Sequence, residues 1–476
     1  MVTFLASIAI LILGYFIYGT FVERIFGADE NRPTPCHTRF DGVDYVPMDK
    51  YRNSLIQLLN IAGLGPIYGA ISGAQWGPIA FLWIVFGGIL AGAVHDYLSG
   101  MLSLRHDGAN VPELVRIYLG ERTKLLVNVF TIVLLVLVGV VFVTGPAGLL
   151  AILTPGVLSK SGWVWIIFAY YFLATVLPVD KIIGRIYPLF GAILIIMAIG
   201  IGGALITQGY DIPELTLQNL HPKGMPAWPL LFVTIACGAI SGFHSTQSPI
   251  VARCVKNEKE GKFIFYGMMI AESIIALIWA AAAMSFYGGT EKLGEVLATT
   301  AGPSAVVKEA SFAMMGRIGG VLAILGVVVL PITSGDTAFR AARLTIAELL
   351  KLDQKDVLNR YKIAVPLYIV GIILSQIDFN IVWRYFAWAN QTLAMMVLWV
   401  GAFYLAKVGR LHWIATLPAT FMTAVSVTYI LQAPEGFSLP TSVSYPVGAI
   451  AAIGLLAYFL LKTRNLGVSQ AQEQKI

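Results

Sequence analysis

The sequence predicts an all-α, polytopic membrane protein of about 13 transmembrane helices, with a core of two inverted five-helix sets, one extra helix before it and two after it. Three observations carry that prediction. Hydrophobic residues make up 57% of the 476-residue chain and Asp, Glu, Lys and Arg only 12%, a balance foreign to soluble domains. Apolar stretches of roughly 20 residues, the length that crosses a bilayer, recur from end to end. Finally, the pentapeptide G-A-I-S-G occurs at 69–73 and again at 238–242, each time followed a few residues later by Pro-Ile, at Pro78-Ile79 and Pro249-Ile250. Numbered from the second span, the two copies lie in the first and sixth of ten spans, and five being odd, the second set of five must run inverted.

In chain order the spans fall near 2–22, 53–72, 77–103, 123–150, 163–179, 185–207, 227–250, 263–287, 314–338, 362–377, 380–406, 411–432 and 443–462. The first has no basic residue before it and no small-residue cleavage site after it, which reads as a retained helix and not a signal peptide. A polar connector with three prolines, 23–52, precedes the first repeat, 53–207. The second repeat spans 227–406, two helices follow at 411–462, and 463–476 is a tail. About 26 of the 32 Lys and Arg fall in the loops of one side, including 23–52, 104–122, 251–262, 339–361 and the tail, which makes that side cytoplasmic and puts the N-terminus outside. The basic balance is therefore topological and implies no nucleic acid. Cys36, Cys237 and Cys254 share no metal-ligand spacing, so neither a metal nor a disulfide is expected.

Two spans carry signs of interruption. In N-I-A-G-L-G-P, Pro66 removes an N–H and disfavours helix at Gly65, so a half-helix starting there would aim free N–H groups and a positive dipole end into the membrane, a setting for a carboxylate. The carbonyls of 60–63 would suit a small cation. The glycines Gly65, Gly69, Gly73 and Gly77 recur at steps of four; the last three read as a packing stripe, and Gly65, with Gly63, as the break that opens a site. In A-C-G-A-I-S-G-F-H-S-T-Q-S-P, Ser241, Gly242, His244 and Gln247 crowd one apolar stretch, as a non-helical segment lining a cavity would; a plain buried helix with satisfied hydroxyls is the alternative.

Acids inside spans are functional candidates. Asp96 sits on a small-residue stripe with Gly88, Gly92 and Gly100, as a coupling-proton carrier or a structural hydrogen-bond anchor; His95, next to it, is expected to point elsewhere. Glu272 is the deepest acid. In L-P-I-T-S-G-D-T-A-F-R, Thr333, Ser334 and Asp336 gather oxygens around Gly335, as a sodium site or proton relay would, although Asp336 also reads as a solvated acid at the helix end and Arg340 as an interfacial cation. Arg384, Asn390 and Gln391 lie among aromatics, Arg384 as an anion contact or an anchor.

The runs N-R-P-T-P-C-H-T, D-G-V-D-Y-V-P, G-P-I-Y-G-A-I-S-G-A-Q-W-G-P-I-A-F-L-W-I, A-G-A-V-H-D-Y-L-S-G-M-L-S-L-R, L-P-I-T-S-G-D-T-A-F-R and W-R-Y-F-A-W-A-N-Q-T-L-A together resemble the carbon starvation protein A family over nearly the whole chain. The resemblance implies a LeuT-like, five-plus-five architecture and uptake of pyruvate or short peptides across the bacterial inner membrane, with protons as the coupling ion in some members. The chain is shorter than the long members, and Cys36 stands where a small residue is expected. No substrate-contact residue carries over from the family.

The expectation is a secondary transporter without a cofactor. Substrate would lie between the breaks, among Gly63, Gly65, Pro66, Ser241, Gly242, His244 and Gln247. Asp96, Glu272 or Asp336 would carry a proton, or Thr333 and Ser334 a sodium ion. A membrane-embedded enzyme built on His95-Asp96 or His244 is the rival, but H-E-x-x-H, a nucleophile elbow and a phosphate loop are all missing. A nutrient sensor would need an output domain, for which no sequence is left over, and a channel would not need two interrupted helices in corresponding positions.

Overall fold

The computed structural model describes residues 1–42, 44–174, 179–354 and 356–473. Helices follow one another as α1 (Val2–Phe16), α2 (Tyr18–Phe26), α3 (Lys50–Ile61), α4 (Gly65–Trp76), α5 (Ile79–Arg105), α6 (Glu121–Leu153), α7 (Lys160–Ala174) and α8 (Val179–Thr207). They continue as α9 (Leu230–Thr234), α10 (Gly242–Ala252), α11 (Glu258–Phe286), α12 (Pro303–Leu350), α13 (Val357–Leu374), α14 (Phe379–Lys407), α15 (Trp413–Gln432) and α16 (Thr441–Glu473). In a bilayer a chain has to satisfy its backbone internally, so helix is what these apolar runs can form. Polar residues set several starts: Asp49 accepts from Tyr51 N–H at 3.0 Å to open α3, and Asp378 from Asn380 N–H at 2.9 Å to open α14.

Among the described residues ten helices are long and apolar enough to cross a membrane, eleven if the bent pair α3 and α4 counts as one span. Two of the expected spans are not among them. The stretch 163–179 falls on α7, which has 15 residues and ends where 175–178 lie outside the described residues. The stretch 227–250 falls on α9 and α10, 5 and 11 residues long, separated by non-helical backbone. The expected span at 314–338 is the second part of α12, which bends at Gly316 where φ is 67°.

The glycine stripe of α4 has a single neighbour. A Cβ added at Gly65 would lie 2.2 Å from Cys237 Sγ, at Gly69 3.0 Å from the Thr234 carbonyl oxygen, at Gly73 2.2 Å from Ile235 Cγ1, and at Gly77 2.8 Å from Leu220 Cδ1. All four glycines therefore seat α4 against the chain leading into and through the second interruption. Gly65 belongs with the other three: it is filled by Cys237, not opened as a site. On α5, Gly92 meets the Ala239 carbonyl oxygen in the same way, at 2.1 Å.

Away from the membrane centre the ends of several helices are tied together. Glu258, fully buried at the start of α11, accepts from Arg105 Nε at 3.0 Å and from the Asp29 N–H at 2.9 Å. Arg105 also donates to the Gly27 carbonyl at 2.8 Å and to the Tyr404 hydroxyl, and lies 4.0 Å over the Phe26 ring. The connector packs nearby, with Cys36 donating to Val255 O at 3.1 Å and Met48 N–H to Cys254 O at 3.0 Å. At the other end, Glu214 caps α1, receiving the Met1 ammonium at 2.6 Å and the Val2 and Thr3 N–H groups, contacts that hold its carboxyl down at about 2.

Gly92→Ala should therefore lower the thermal unfolding temperature of the detergent-solubilised protein, by the equivalent of about 1–3 kcal/mol for an overpacked site. Gly203→Ala, at a helical glycine with nothing within 4 Å, should not lower it. Melting curves of the two variants side by side check this.

Candidate functional site

The two interruptions lie against each other in the middle of the helices. Between α3 and α4 the chain turns by 53° across 62–64. Between α9 and α10, residues 235–241 leave the helical path, with Gly238 at φ 88°, a conformation that an L side chain resists. Its missing Cβ is also required sterically, since one would sit 2.4 Å from Ala276 Cβ.

Two adjacent amides on α14 close the second break from both sides. Asn390 Oδ1 accepts from Phe243 N–H at 2.7 Å, at the first turn of α10, while its Nδ2 donates to Ser241 Oγ at 3.0 Å. Gln391 Nε2 donates to the Phe232 carbonyl of α9 at 2.8 Å, and Trp83 Nε1 to the Ile235 carbonyl at 3.1 Å. The first break closes on itself, with Ile67 and Tyr68 N–H both bonded to Leu64 O, at 3.2 and 2.8 Å. At the start of the first half-helix the Ile67 and Tyr68 N–H groups are thus held by local backbone, and at the start of the second the Phe243 N–H is held by an amide side chain. Gly242, where an added Cβ would lie 2.4 Å from Asn390 O, is likewise a packing position here.

The acids behave differently from one another. His244, one turn into α10, places Nδ1 2.9 Å from Asp96 Oδ2 and Nε2 3.4 Å from Glu272 Oε2. Asp96 Oδ1 in turn lies 2.8 Å from His95 Nδ1. All four residues are fully buried. One imidazole on α10 therefore bridges a carboxylate on α5 and another on α11, and His95 turns toward Asp96 instead of away from it. Neighbours on a helix point about 100° apart at the Cβ, but a His ring is long enough to swing back to the carboxylate beside it. The Glu272 oxygens, His244 Nε2 and His95 Nε2 have no hydrogen-bond partner among the described residues, so the His244–Glu272 link is an ion-pair contact and the cluster has unused capacity.

Cys237 also comes close: its Sγ, with ligand atoms of His244 and Glu272, forms a group within 4.8 Å, a proximity that cysteine spacing does not reveal. The thiol is engaged in the break, 3.4 Å from Ser241 Oγ and 3.5 Å from Asn390 Nδ2. Gln247 follows His244 by three residues and donates to Thr246 Oγ1 at 3.0 Å.

Thr333, Ser334 and Asp336 form a separate group on α12. Asp336 is 4% exposed, not a solvated acid, and Arg340 Nη2 pairs with it at 3.1 Å, which gives that arginine a partner one turn along its own helix. Thr333 Oγ1 donates to Leu330 O at 2.8 Å. Phe142 stands between this group and the first break, its ring 3.1 Å from where a Gly63 Cβ would be and its Cβ 3.1 Å from that of Gly335. Arg384 holds Glu435 at 3.1 Å and so anchors the turn after α15.

A mixed polar cavity of about 620 Å³ opens beyond the breaks, lined by Tyr68, Thr144, Lys160, Ser304, Asp378 and Asn380 among others. The Tyr68 and Ser304 hydroxyls meet there at 2.8 Å. Behind Tyr68 runs an aromatic column, Tyr68 to Trp383 at 6.0 Å, Trp383 to Phe386 at 5.4 Å, Phe386 to Phe142 at 6.4 Å and Phe142 to Phe243 at 5.9 Å between ring centres. It runs from the cavity to Phe243, the residue before His244 at the second break. The sequence reading singled out neither this cavity nor its two charged side chains, which look like ordinary loop residues.

Known proteins agree with this architecture. The family model described as carbon starvation protein CstA matches residues 1–155, 149–290 and 287–429. An uncharacterized membrane protein of Haemophilus influenzae is 46% identical over 62% of this chain and 94% of its own. The peptide transporter CstA of Escherichia coli is 27% identical over 89% of this chain and 79% of its own, and the pyruvate/proton symporter BtsT of the same organism 28% over 58% and 48%. Among solved structures, MhsT in complex with L-phenylalanine superposes with a TM-score of 0.53 over 88% of this chain and 99% of its own, at 15% identity. The fold is that of the LeuT-like transporters.

Asn390→Leu should leave the Phe243 N–H and the Ser241 hydroxyl buried without a partner, a loss of about 1–3 kcal/mol per orphaned group. The expected outcome is a lower unfolding temperature than for the wild type and for Asn390→Asp, which keeps the acceptor, measured on the purified protein.

Proposed function

The chain belongs to the carbon starvation protein CstA family, and on that premise we propose that it imports small carboxylate or peptide nutrients, pyruvate or short peptides, by proton-coupled symport across the bacterial inner membrane during carbon starvation. It is a multi-pass membrane transporter and not an enzyme. The names of two relatives, a peptide transporter and a pyruvate/proton symporter, support the substrate class. In this reading α7 and the α9–α10 pair complete thirteen crossings. The first repeat is 53–207, the second, inverted one 227–406, and the loop charges put the N-terminus outside and the tail inside.

The observation that carries the coupling is the Asp96–His244–Glu272 chain. An imidazolium has two N–H donors and can serve both carboxylates; a neutral imidazole has one, and when it donates to Asp96, which also has His95 beside it, Glu272 is left to bind a proton itself or stand unpaired in a medium that penalises it. Proton occupancy and the spacing of α5, α10 and α11 are thereby linked, because each arrangement favours a different set of contacts. His244 stands one helical turn from the break at Ser241 and Gly242, so a shift of α10 reaches both. The substrate site lies where the breaks meet, at Gly63, Pro66, Ser241 and Gln247, once the aromatic column has moved aside. Thr333 and Ser334 would hold sodium if sodium were the coupling ion, with Asp336 as the local charge.

Uptake of labelled pyruvate and of a labelled dipeptide into proteoliposomes under an inward proton gradient tests this. Asp96→Asn and Glu272→Gln should each cut gradient-driven accumulation at least about tenfold, an effect of ~1.4 kcal/mol or more, while leaving counterflow exchange intact. Wild-type accumulation in both variants would remove the cluster from the coupling step, and accumulation driven by sodium alone and lost in Thr333→Ala would move coupling to α12.

A further inference from the structure

The charges in the outer cavity have no structural work that requires both of them there. Lys160 forms no ion pair within 4 Å among the described residues, and its ammonium lies 5.8 Å from the centre of the Phe379 ring. It is also one of only about six Lys and Arg on a side where the positive-inside bias removes cations. Asp378 uses one carboxylate oxygen to cap α14 at the Asn380 N–H, which an asparagine would do as well. The two line the same cavity, yet they do not join in a salt bridge. Neutral hydrogen-bonding groups share the lining: Ser161, Gln376, Asn380 and residues 298–302.

We propose that this cavity is a recognition vestibule for small zwitterions, free peptides above all, with Lys160 taking the carboxylate and Asp378 the ammonium group. An opposite pair held apart is what the two termini of a short peptide need, and a pair in contact would have to be broken first. The volume of about 620 Å³ lies in the range of small-molecule sites, roughly 300–1,000 Å³, and exceeds what a three-carbon acid fills. Tyr68, on the floor, belongs to α4 and heads the aromatic column, so a ligand seated in the vestibule presses on the element that leads to the break. The proposal rests on the transport reading above and adds to it which substrate class is preferred and which side chains select it.

The test uses the full-length purified protein and labelled alanylalanine, its N-acetylated form and pyruvate, read both as equilibrium binding and as proteoliposome uptake. Lys160→Gln should weaken binding and raise KM at least fivefold for all three, with the maximal rate kept. Asp378→Asn should do so for free alanylalanine alone, because acetylation has already removed the charge it recognises and pyruvate never had one. Equal effects of Asp378→Asn on free and acetylated peptide, unchanged binding in both variants, or no binding of alanylalanine by the wild type would overturn it. Binding that follows this pattern without uptake would sustain the vestibule and count against the transport reading instead.

Discussion

Every backbone N–H and C=O that leaves a helix inside a bilayer needs a partner supplied by the protein, because no water is there to provide one. This chain breaks two helices at membrane depth, and much of its design follows from closing those breaks. The first is sealed by a tight turn on Leu64. The second is too long for that, and α14 delivers Asn390 and Gln391 to its two sides. Glycines do the remaining work: Gly65, Gly69 and Gly73 let α4 lie directly on the second break, so that the two irregular segments cover one another.

The same shortage of water gives the charge cluster its meaning. Asp96 and Glu272 cannot be stabilised by solvent, and the side chain that both share is His244, with His95 beside Asp96 as well. A group in that position binds its protons in concert with its neighbours, not alone. Because the three side chains stand on three helices, the proton count and the helix arrangement are properties of one assembly. By contrast Asp336 has Arg340 on its own helix, an i to i+4 pair that moves with it.

The sequence made the spans, the two breaks and the individual acids visible, since each depends on local composition: proline and glycine in an apolar run, or an ionisable residue within one. It did not join His244 to Asp96, 148 positions away, and so placed the histidine with substrate and the acids in separate roles. His95 was expected to point away because helix geometry fixes directions at Cβ and not at the end of a ring. Asn390 and Gln391 were noticed without a role, although two amides beside aromatics in a span have to bond something, and a broken helix elsewhere in the chain is the natural client. Lys160 and Asp378 left no signal at all, because their juxtaposition arises from loops that fold together only in three dimensions.

The knot of Arg105, Glu258, Gly27 and Tyr404 has a mechanical consequence. It pins the end of α5 and the start of α11 to the first helices and to α14. A helix of 29 residues such as α11 is about 43 Å long at 1.5 Å per residue. Held at the Glu258 end it behaves as a lever with a fixed fulcrum: a tilt too small to disturb the knot displaces the opposite tip by several ångströms, and Glu272, halfway along, by about half as much.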